Sequence, residues 1–329
     1  MKFHRRLITT AAVLAGLASA IGVPTHALAQ TYPDKPIRLV VAFSTGSGND
    51  TIARELARYM GEILGQPVVV ENRAGGGGSI GTDVVAKAAP DGYTIGLGTS
   101  SQLVMNVGLY PKLPFDVEKD LRSIGLVSRT PMVLVASTSM PKTLKELIAY
   151  ARSNPGKVTY GSGGKGSISH VVGENFAKAA DISLLHVPYK GNGAALIDLS
   201  GGHVNLLFDG LISAGPLEKQ GLGRLLAVSG QKRSAVDPSV PTFAELGLPS
   251  YEAYTWNNLM APAKTPQAVI DKLNAALNKA LERPEMKERL AQGASESLGP
   301  TTPAQADAFG QAERAKWVPF VLAMRIDLN

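Results

Sequence analysis

Short apolar runs alternate with stretches of helical spacing along most of the chain. Ile37-Arg38-Leu39-Val40-Val41-Ala42 reads as a buried strand. From Asn49 to Leu64, apolar residues fall at Ile52, Leu56, Tyr59, Met60 and Ile63, the spacing of one helix face. Val68 to Val70 predicts a second strand, Ile80 to Ala88 a short helix and Tyr93 to Leu97 a third strand. A second set begins with Ile124 to Val127 and Met132 to Val135, on either side of Pro131. Helices are predicted over Leu144 to Ser153 and Ile168 to Ala180, with strands at Val158 to Tyr160, Leu184 to Val187, Leu206 to Phe208 and Leu225 to Val228. Pro238, Pro241 and Pro249 mark a loop-rich passage. Tyr251 to Met260 is extended, and helical spacing covers Val269 to Leu281, Pro284 to Gln292 and Pro303 to Val321.

Strands that alternate with helices predict parallel βαβ units and an α/β fold. Two such blocks span roughly 37–128 and 132–247. The block 250–329 has too little strand to stand alone and is expected to return to the first. The expected organisation is one lobe from 30–128 plus 250–329 and another from 129–249, joined by two crossings around a ligand cleft, as in a clamshell receptor.

The N-terminus changes the charge picture. Lys2, Arg5 and Arg6 precede an uncharged apolar run from Leu7 to Ile21, and Ala27-Leu28-Ala29 has the small-x-small pattern of a signal-peptidase site. Export to the periplasm, with cleavage before Gln30, is expected. The run is too short for a comfortable transmembrane helix, and no later stretch reaches about 18 apolar residues. The whole chain carries 33 Lys+Arg and 27 Asp+Glu. Residues 1–29 hold three of the basic residues and none of the acids, so the net charge falls from +6 to +3 on cleavage. No basic run remains, which argues against nucleic-acid binding. A cysteine count of 0 excludes disulfides, thiol nucleophiles and Cys-ligated zinc.

Two glycine-rich loops carry the candidate chemistry. Phe43-Ser44-Thr45-Gly46-Ser47-Gly48-Asn49-Asp50 joins a predicted strand to a predicted helix, and Tyr160-Gly161-Ser162-Gly163-Gly164-Lys165-Gly166-Ser167 does the same in the second block. Glycines allow close approach of the backbone, and a helix N-terminus presents unpaired N–H groups and a positive dipole end. Two such loops facing one cleft would grip a carboxylate from both sides. The candidate ligand contacts are Phe43, Ser44, Thr45, Gly46, Ser47 and Asp50 on the first loop and Thr99 and Ser100 after the third strand. Ser162, Gly163, Gly164, Ser167 and His170 on the second loop complete the set with Asp209 at a strand end. These groups are rich in hydroxyls and backbone donors and poor in cations. They favour a mono- or dicarboxylate over a tricarboxylate, with an amino or hydroxyl group of the ligand met by Asp50 or Asp209. Asp50 also has Arg54 at i+4 as a partner, and His170 also suits a hydrogen-bonding role at the helix start.

No catalytic, cofactor or metal constellation stands out. Gly161 to Gly166 and Gly76 to Gly81 match G-x-G-x-x-G in glycine-rich text, and Gly166 after Lys165 breaks a Walker A reading. His170, His186 and His203 have no i+3 or i+4 companion, and neither H-E-x-x-H nor G-x-S-x-G occurs. An enzyme is not expected; a nucleotide-dependent oxidoreductase built on the glycine motifs is the remote alternative.

Taken together, Tyr32 to Arg38, the Phe43 to Asp50 loop, Val70 to Gly78, Pro90 to Thr94, Tyr160 to Gly163, His186 to Gly191 and Pro241 to Gly247 resemble the TctC/Bug extracytoplasmic receptors of tripartite tricarboxylate transporters. The resemblance covers 30–329 in order. It implies a two-lobed Venus-flytrap fold, a monomer, and a carboxylate held by backbone, neutral groups and water. It also implies two integral membrane partners, one large and one small. A sensor handing its signal to a membrane histidine kinase is the alternative use of the same fold. The chain departs from the family's first loop at Ala42, where proline is usual, and at Ser47, where a second glycine is usual. Ser47 is expected to shift the ligand or to add a hydrogen bond.

Overall fold

The computed structural model describes residues 32–249 and 251–324. The expected signal segment and the expected cleavage site before Gln30 lie outside the described residues. Among the described residues the strands are β1 (Ile37–Val41), β2 (Val68–Asn72), β3 (Thr94–Thr99), β4 (Leu121–Pro131), β5 (Val133–Ala136), β6 (Val158–Ser162), β7 (Leu184–Pro188), β8 (Leu206–Asp209), β9 (Arg224–Val228), β10 (Tyr254–Pro262) and β11 (Glu296–Ser297). The helices are α1 (Gly48–Leu64), α2 (Ser79–Ala86), α3 (Asn106–Leu109), α4 (Leu144–Ser153), α5 (Ile168–Ala180), α6 (Asn192–Ser200), α7 (Leu211–Lys219), α8 (Gln267–Glu282), α9 (Pro284–Gln292) and α10 (Pro303–Met324).

These strands form two sheets. The first has the order β11-β4-β10-β3-β1-β2 and the second β7-β6-β8-β5-β9. β1 is parallel to β2 and β3, and β6 is parallel to β7 and β8. β10 lies antiparallel between β3 and β4, so the C-terminal part of the chain completes the first sheet. α8 packs on α1 and α10 on β4, covering that sheet from outside.

The chain passes between the sheets twice, at Met132 and between β9 and β10. Ser229, fully buried, ties the two passages together. Its Oγ accepts from the Met132 N–H at 2.8 Å and donates to the Ala253 carbonyl at 2.5 Å, and its own N–H donates to the Met132 carbonyl at 2.8 Å. Pro131 does not interrupt one element but ends β4, where a residue without an N–H costs no ladder bond.

Several elements differ from the pattern-based expectation. β4 starts at Leu121, three residues before the predicted run. α6 and α7 occupy stretches without clear helical spacing. α7 contains Gly215 and Pro216, which helix propensity disfavours, and it forms because Leu211 and Ala214 are buried against the second sheet. The wide helical turn Ser101–Met105, followed by α3, lies in a stretch for which the pattern predicts no element.

Phe176 of α5, Phe208 of β8, Phe243 and Tyr251 form an aromatic centre against the second sheet, with ring centroids 4.4 to 6.2 Å apart. Tyr251 satisfies its hydroxyl by donating to the Val172 carbonyl at 2.8 Å. Phe176 is fully buried with edge-on contacts to all three other rings, so its loss leaves a cavity that rigid neighbours cannot collapse. Phe176→Ala is expected to destabilise the protein by about 3–5 kcal/mol in denaturant unfolding; a loss under about 1 kcal/mol would show that this cluster does not organise the second sheet.

Candidate functional site: a cavity between two serine-capped helices

β1 ends at Val41, and the chain turns through Ala42 to Gly46 into α1. Ser47 caps that helix with φ −69° and ψ 159°, and its Oγ accepts from the Asp50 N–H at 3.2 Å. β6 ends at Ser162, and the second loop leads into α5. Ser167 caps it with φ −68° and ψ 158°, its Oγ accepting from the His170 N–H at 3.3 Å. The two lobes thus present the same device, a serine N-cap in nearly identical backbone geometry. Ser47 therefore departs from the family glycine for a local reason: its hydroxyl is turned back onto its own helix. The N–H groups of Gly48 and Asn49 find no acceptor among the described residues, and both residues border the cavity.

That cavity, about 50 Å³, lies between the two sheets. Of the predicted contacts, Phe43, Ser47, Ser167 and Asp209 line it. Its other polar walls are Asn49, Ser101, Thr130, Ser169, Asn192, Thr255 and Asn257. Several are already oriented. Asn257 Nδ2 donates to Asn49 Oδ1 at 2.8 Å, Ser169 Oγ donates to Asn192 Oδ1 at 2.9 Å, and Ser101 Oγ accepts the Ile168 N–H across the cleft at 2.7 Å. No Lys, Arg or His is among these walls.

The other predicted contacts do not reach the cavity, each for a definable reason. Asp50 is turned into its own lobe, where its carboxylate accepts from Gly46 N–H (3.0 Å), Arg54 Nε (3.0 Å) and Asn72 Nδ2 (2.9 Å). Burial pushes this carboxyl up, but those donors together outweigh it and hold it below the usual range. Gly46 is held by that bond. Thr45 is exposed, its Oγ1 donating to Asn72 Oδ1 at 3.2 Å. Ser44 packs against Gly191 of the other lobe. Thr99 is bonded to Gln102, and Ser100 Oγ reaches the wall only through Thr255 Oγ1 at 3.5 Å. Ser162, Gly163 and Gly164 are not among the walls. Ser162 Oγ contacts His186 Nε2 at 2.6 Å, and Gly163 N–H donates to Ser169 Oγ at 3.0 Å.

His170 supports the second loop from behind. Its Nδ1 accepts from the Gly166 N–H at 3.1 Å, and its ring stacks on His186 with centroids 3.9 Å apart. Burial, with His186 and Lys165 adding to it, lowers His170 to about 3. Burial and then Lys165 lower His186 to about 4. Both imidazoles are therefore neutral over the ordinary pH range, as the acceptor role of His170 Nδ1 requires.

Glycine lets the turn after β2 touch the second loop across the cleft. Gly77 has φ +60°, and a Cβ there would collide with the Lys165 carbonyl and the Gly166 backbone. Tyr110 Oη donates to the same Lys165 carbonyl at 2.7 Å. Both G-x-G-x-x-G matches thus have their glycines turned to protein. Gly164 faces the Tyr189 carbonyl, Gly166 faces Asn106 and Tyr110, and Gly78 faces Gln102, leaving no open cradle for a pyrophosphate.

Two α/β sheets joined by paired passages, with a polar cavity at the carboxyl ends of their parallel strands, define a periplasmic solute-binding receptor. Residues 52–326 match the profile of the tripartite tricarboxylate transporter family receptor, TctC. The chain belongs to this family. It is similar to BugT of Bordetella pertussis, at 38% identity over 313 residues, covering 94% of this chain and 95% of that protein. The structure of the periplasmic binding protein BugD is 34% identical with a TM-score of 0.87, covering 90% of this chain and 99% of that one. MatC from Rhodopseudomonas palustris with bound malate is 32% identical with a TM-score of 0.85, covering 88% and 100%. These are solute-binding proteins, and the chain is a receptor rather than an enzyme. No helix among the described residues is long and apolar enough to cross a membrane.

The histidine pair makes stability depend on pH with a definite sign. Unfolded, each imidazole takes up a proton near pH 6.5; folded, it does not until about 3 or 4. Between those values the unfolded state binds more protons, so the stabilisation is full above about pH 6.5 and is lost as pH falls toward 4. Each histidine contributes a slope of up to ~1.4 kcal/mol per pH unit in that window. Subtracting the urea-unfolding profile of a His170→Asn variant from that of the wild type should isolate one such slope; parallel profiles from pH 7 to pH 4 would contradict it.

Proposed function

We propose that the protein captures a small mono- or dicarboxylate in the periplasm and delivers it to the large and small membrane subunits of a tripartite transporter. One observation carries this reading: two serine-capped helix N-termini border one cavity whose walls hold neutral donors and no cation. The first carboxylate rests on the Gly48 and Asn49 N–H groups and the dipole end of α1, faced by Ser101, Ser167 and Ser169. Thr130, Thr255, Asn192 and Asn257 orient the rest of the ligand, with Phe43 covering its apolar part. A tricarboxylate would place three charges in a site without a counter-charge, at a heavy desolvation cost. MatC, with malate bound, supports the class. In the proposed organisation, residues 30–128 with 250–329 make one lobe and 129–249 the other, and the chain is exported with cleavage before Gln30.

Titration calorimetry with a panel of organic acids tests the reading. A small mono- or dicarboxylate should bind without being converted, and at 100 times its Kd it should add about 2.7 kcal/mol to stability. Gly77→Ala should cost about 1–2 kcal/mol of stability, because its φ of +60° strains any L side chain whatever the lobes do. It should in addition weaken binding at least tenfold, because the collision with the Lys165 carbonyl is made when the lobes meet. Absence of binding by every acid in the panel, or turnover of one of them, would sink the proposal. N-terminal sequencing of protein recovered from the periplasm should begin at Gln30.

A further inference from the structure

Among the cavity walls Asp209 alone has an ionisable side chain. It stands at the carboxyl end of β8, opposite Val133 of β5, and so sits with Thr130 and Met132 beside the passage between the sheets. The residue is 7% exposed. Every group bonded to it is neutral: the Gly210 N–H at 2.9 Å, Ser213 Oγ at 2.8 Å, and the Asn192 side chain. A carboxylate offers about four acceptor positions, so three donors leave one unfilled. Asp50, by contrast, is satisfied by Arg54 within its own lobe and is not part of the wall. Asp209 has no such cation.

We propose, building on the carboxylate reading above, that Asp209 receives a cationic nitrogen of the ligand, so that the natural ligand is an aminocarboxylate rather than a plain diacid. The complementarity is one of sign. The helix N-termini Gly48 and Asn49 supply the positive end of the cavity, and Asp209 supplies its negative end. A zwitterion meets both. A diacid would set its second carboxylate in the same desolvated cavity as a buried acid that has no counter-ion. Desolvation raises Asp209 above the usual carboxylate range, which is the cost that a ligand ammonium relieves.

The test compares matched acids on wild-type protein recovered from the periplasm. Calorimetry is run with aminoalkanoates of two to six carbons, among them glycine, 4-aminobutanoate and the 2-amino acids. The alkanoates, hydroxy acids and diacids of the same lengths complete the series. For at least one chain length the amino compound should bind tenfold or more tightly than its deamino, hydroxy and diacid counterparts. Asp209→Asn, which keeps the size and the Ser213 contact, should remove that preference and improve diacid binding. The wild-type ranking decides the matter alone if the variant does not fold. Tightest binding by a diacid or hydroxy acid, or diacid binding with uptake of one proton as read in buffers of different ionisation enthalpy, overturns the assignment while leaving the carboxylate reading intact. Binding by none of these acids overturns both.

Discussion

The two lobes meet backbone to backbone. The Lys165 carbonyl occupies the place where Gly77 would carry a Cβ, and Ser44 occupies the corresponding place beside Gly191. Each contact joins a glycine that follows the edge strand of one sheet, β2 or β7, to the strand–helix loop of the other. Without such close approach the loops could not bring the capped ends of α1 and α5 to one cavity, and the Ser101 hydroxyl could not reach the Ile168 N–H at 2.7 Å. The glycine density of these loops is thus explained by what they touch. It resembles a nucleotide-binding motif only as text, because a phosphate cradle needs the glycine faces open, and here protein fills them.

A second constraint sits at the opposite side of the cavity. Ser229 links Met132 to Ala253, so the two passages between the sheets are bonded side by side instead of running as independent linkers. Movement of one lobe against the other is then concentrated at few backbone positions, as a hinge requires. The wall residues Thr130 and Met132 flank this tie, so ligand contacts and hinge share the same few residues. A ligand that binds there has a direct means of favouring one lobe arrangement over another.

The sequence made some of this readable and hid the rest for identifiable reasons. The loops Phe43–Asp50 and Tyr160–Ser167 stood out because a strand, a glycine cluster and a helix follow one another in a local pattern. Within them Phe43, Ser47, Gly48, Asn49 and Ser167 reach the wall. Asp209 was legible because it ends an apolar run. Asn257, Thr255 and Thr130 were not, since their place depends on how β10 threads between β3 and β4, a long-range pairing with no local signature. Asn192 and Ser101 sit in helical segments that carry no strong periodicity. His170 was placed in the correct turn, yet its side chain points behind the loop, where its Nδ1 receives the Gly166 N–H. Sequence position could indicate nearness to the cleft, but the side on which each group lies followed only from the packing.

The distribution of charge explains why such a site suits capture and release. A guanidinium clamp would hold a carboxylate by paired, charge-assisted bonds that are costly to break. Here Arg54, on the helix that follows the first loop, is engaged by Asp50 and by Asn72 Oδ1 at 3.1 Å. The anion instead faces neutral N–H and O–H donors, whose strength depends on enclosure by both lobes. Both sheets contribute: Gly48, Asn49, Ser101, Thr130, Thr255 and Asn257 go with the first, and Ser167, Ser169 and Asn192 with the second. When the lobes part, water replaces the donors of one side at once, and the remaining helix terminus holds a solvated carboxylate only weakly. Affinity is therefore a property of the closed arrangement, and opening alone is enough to let the ligand go.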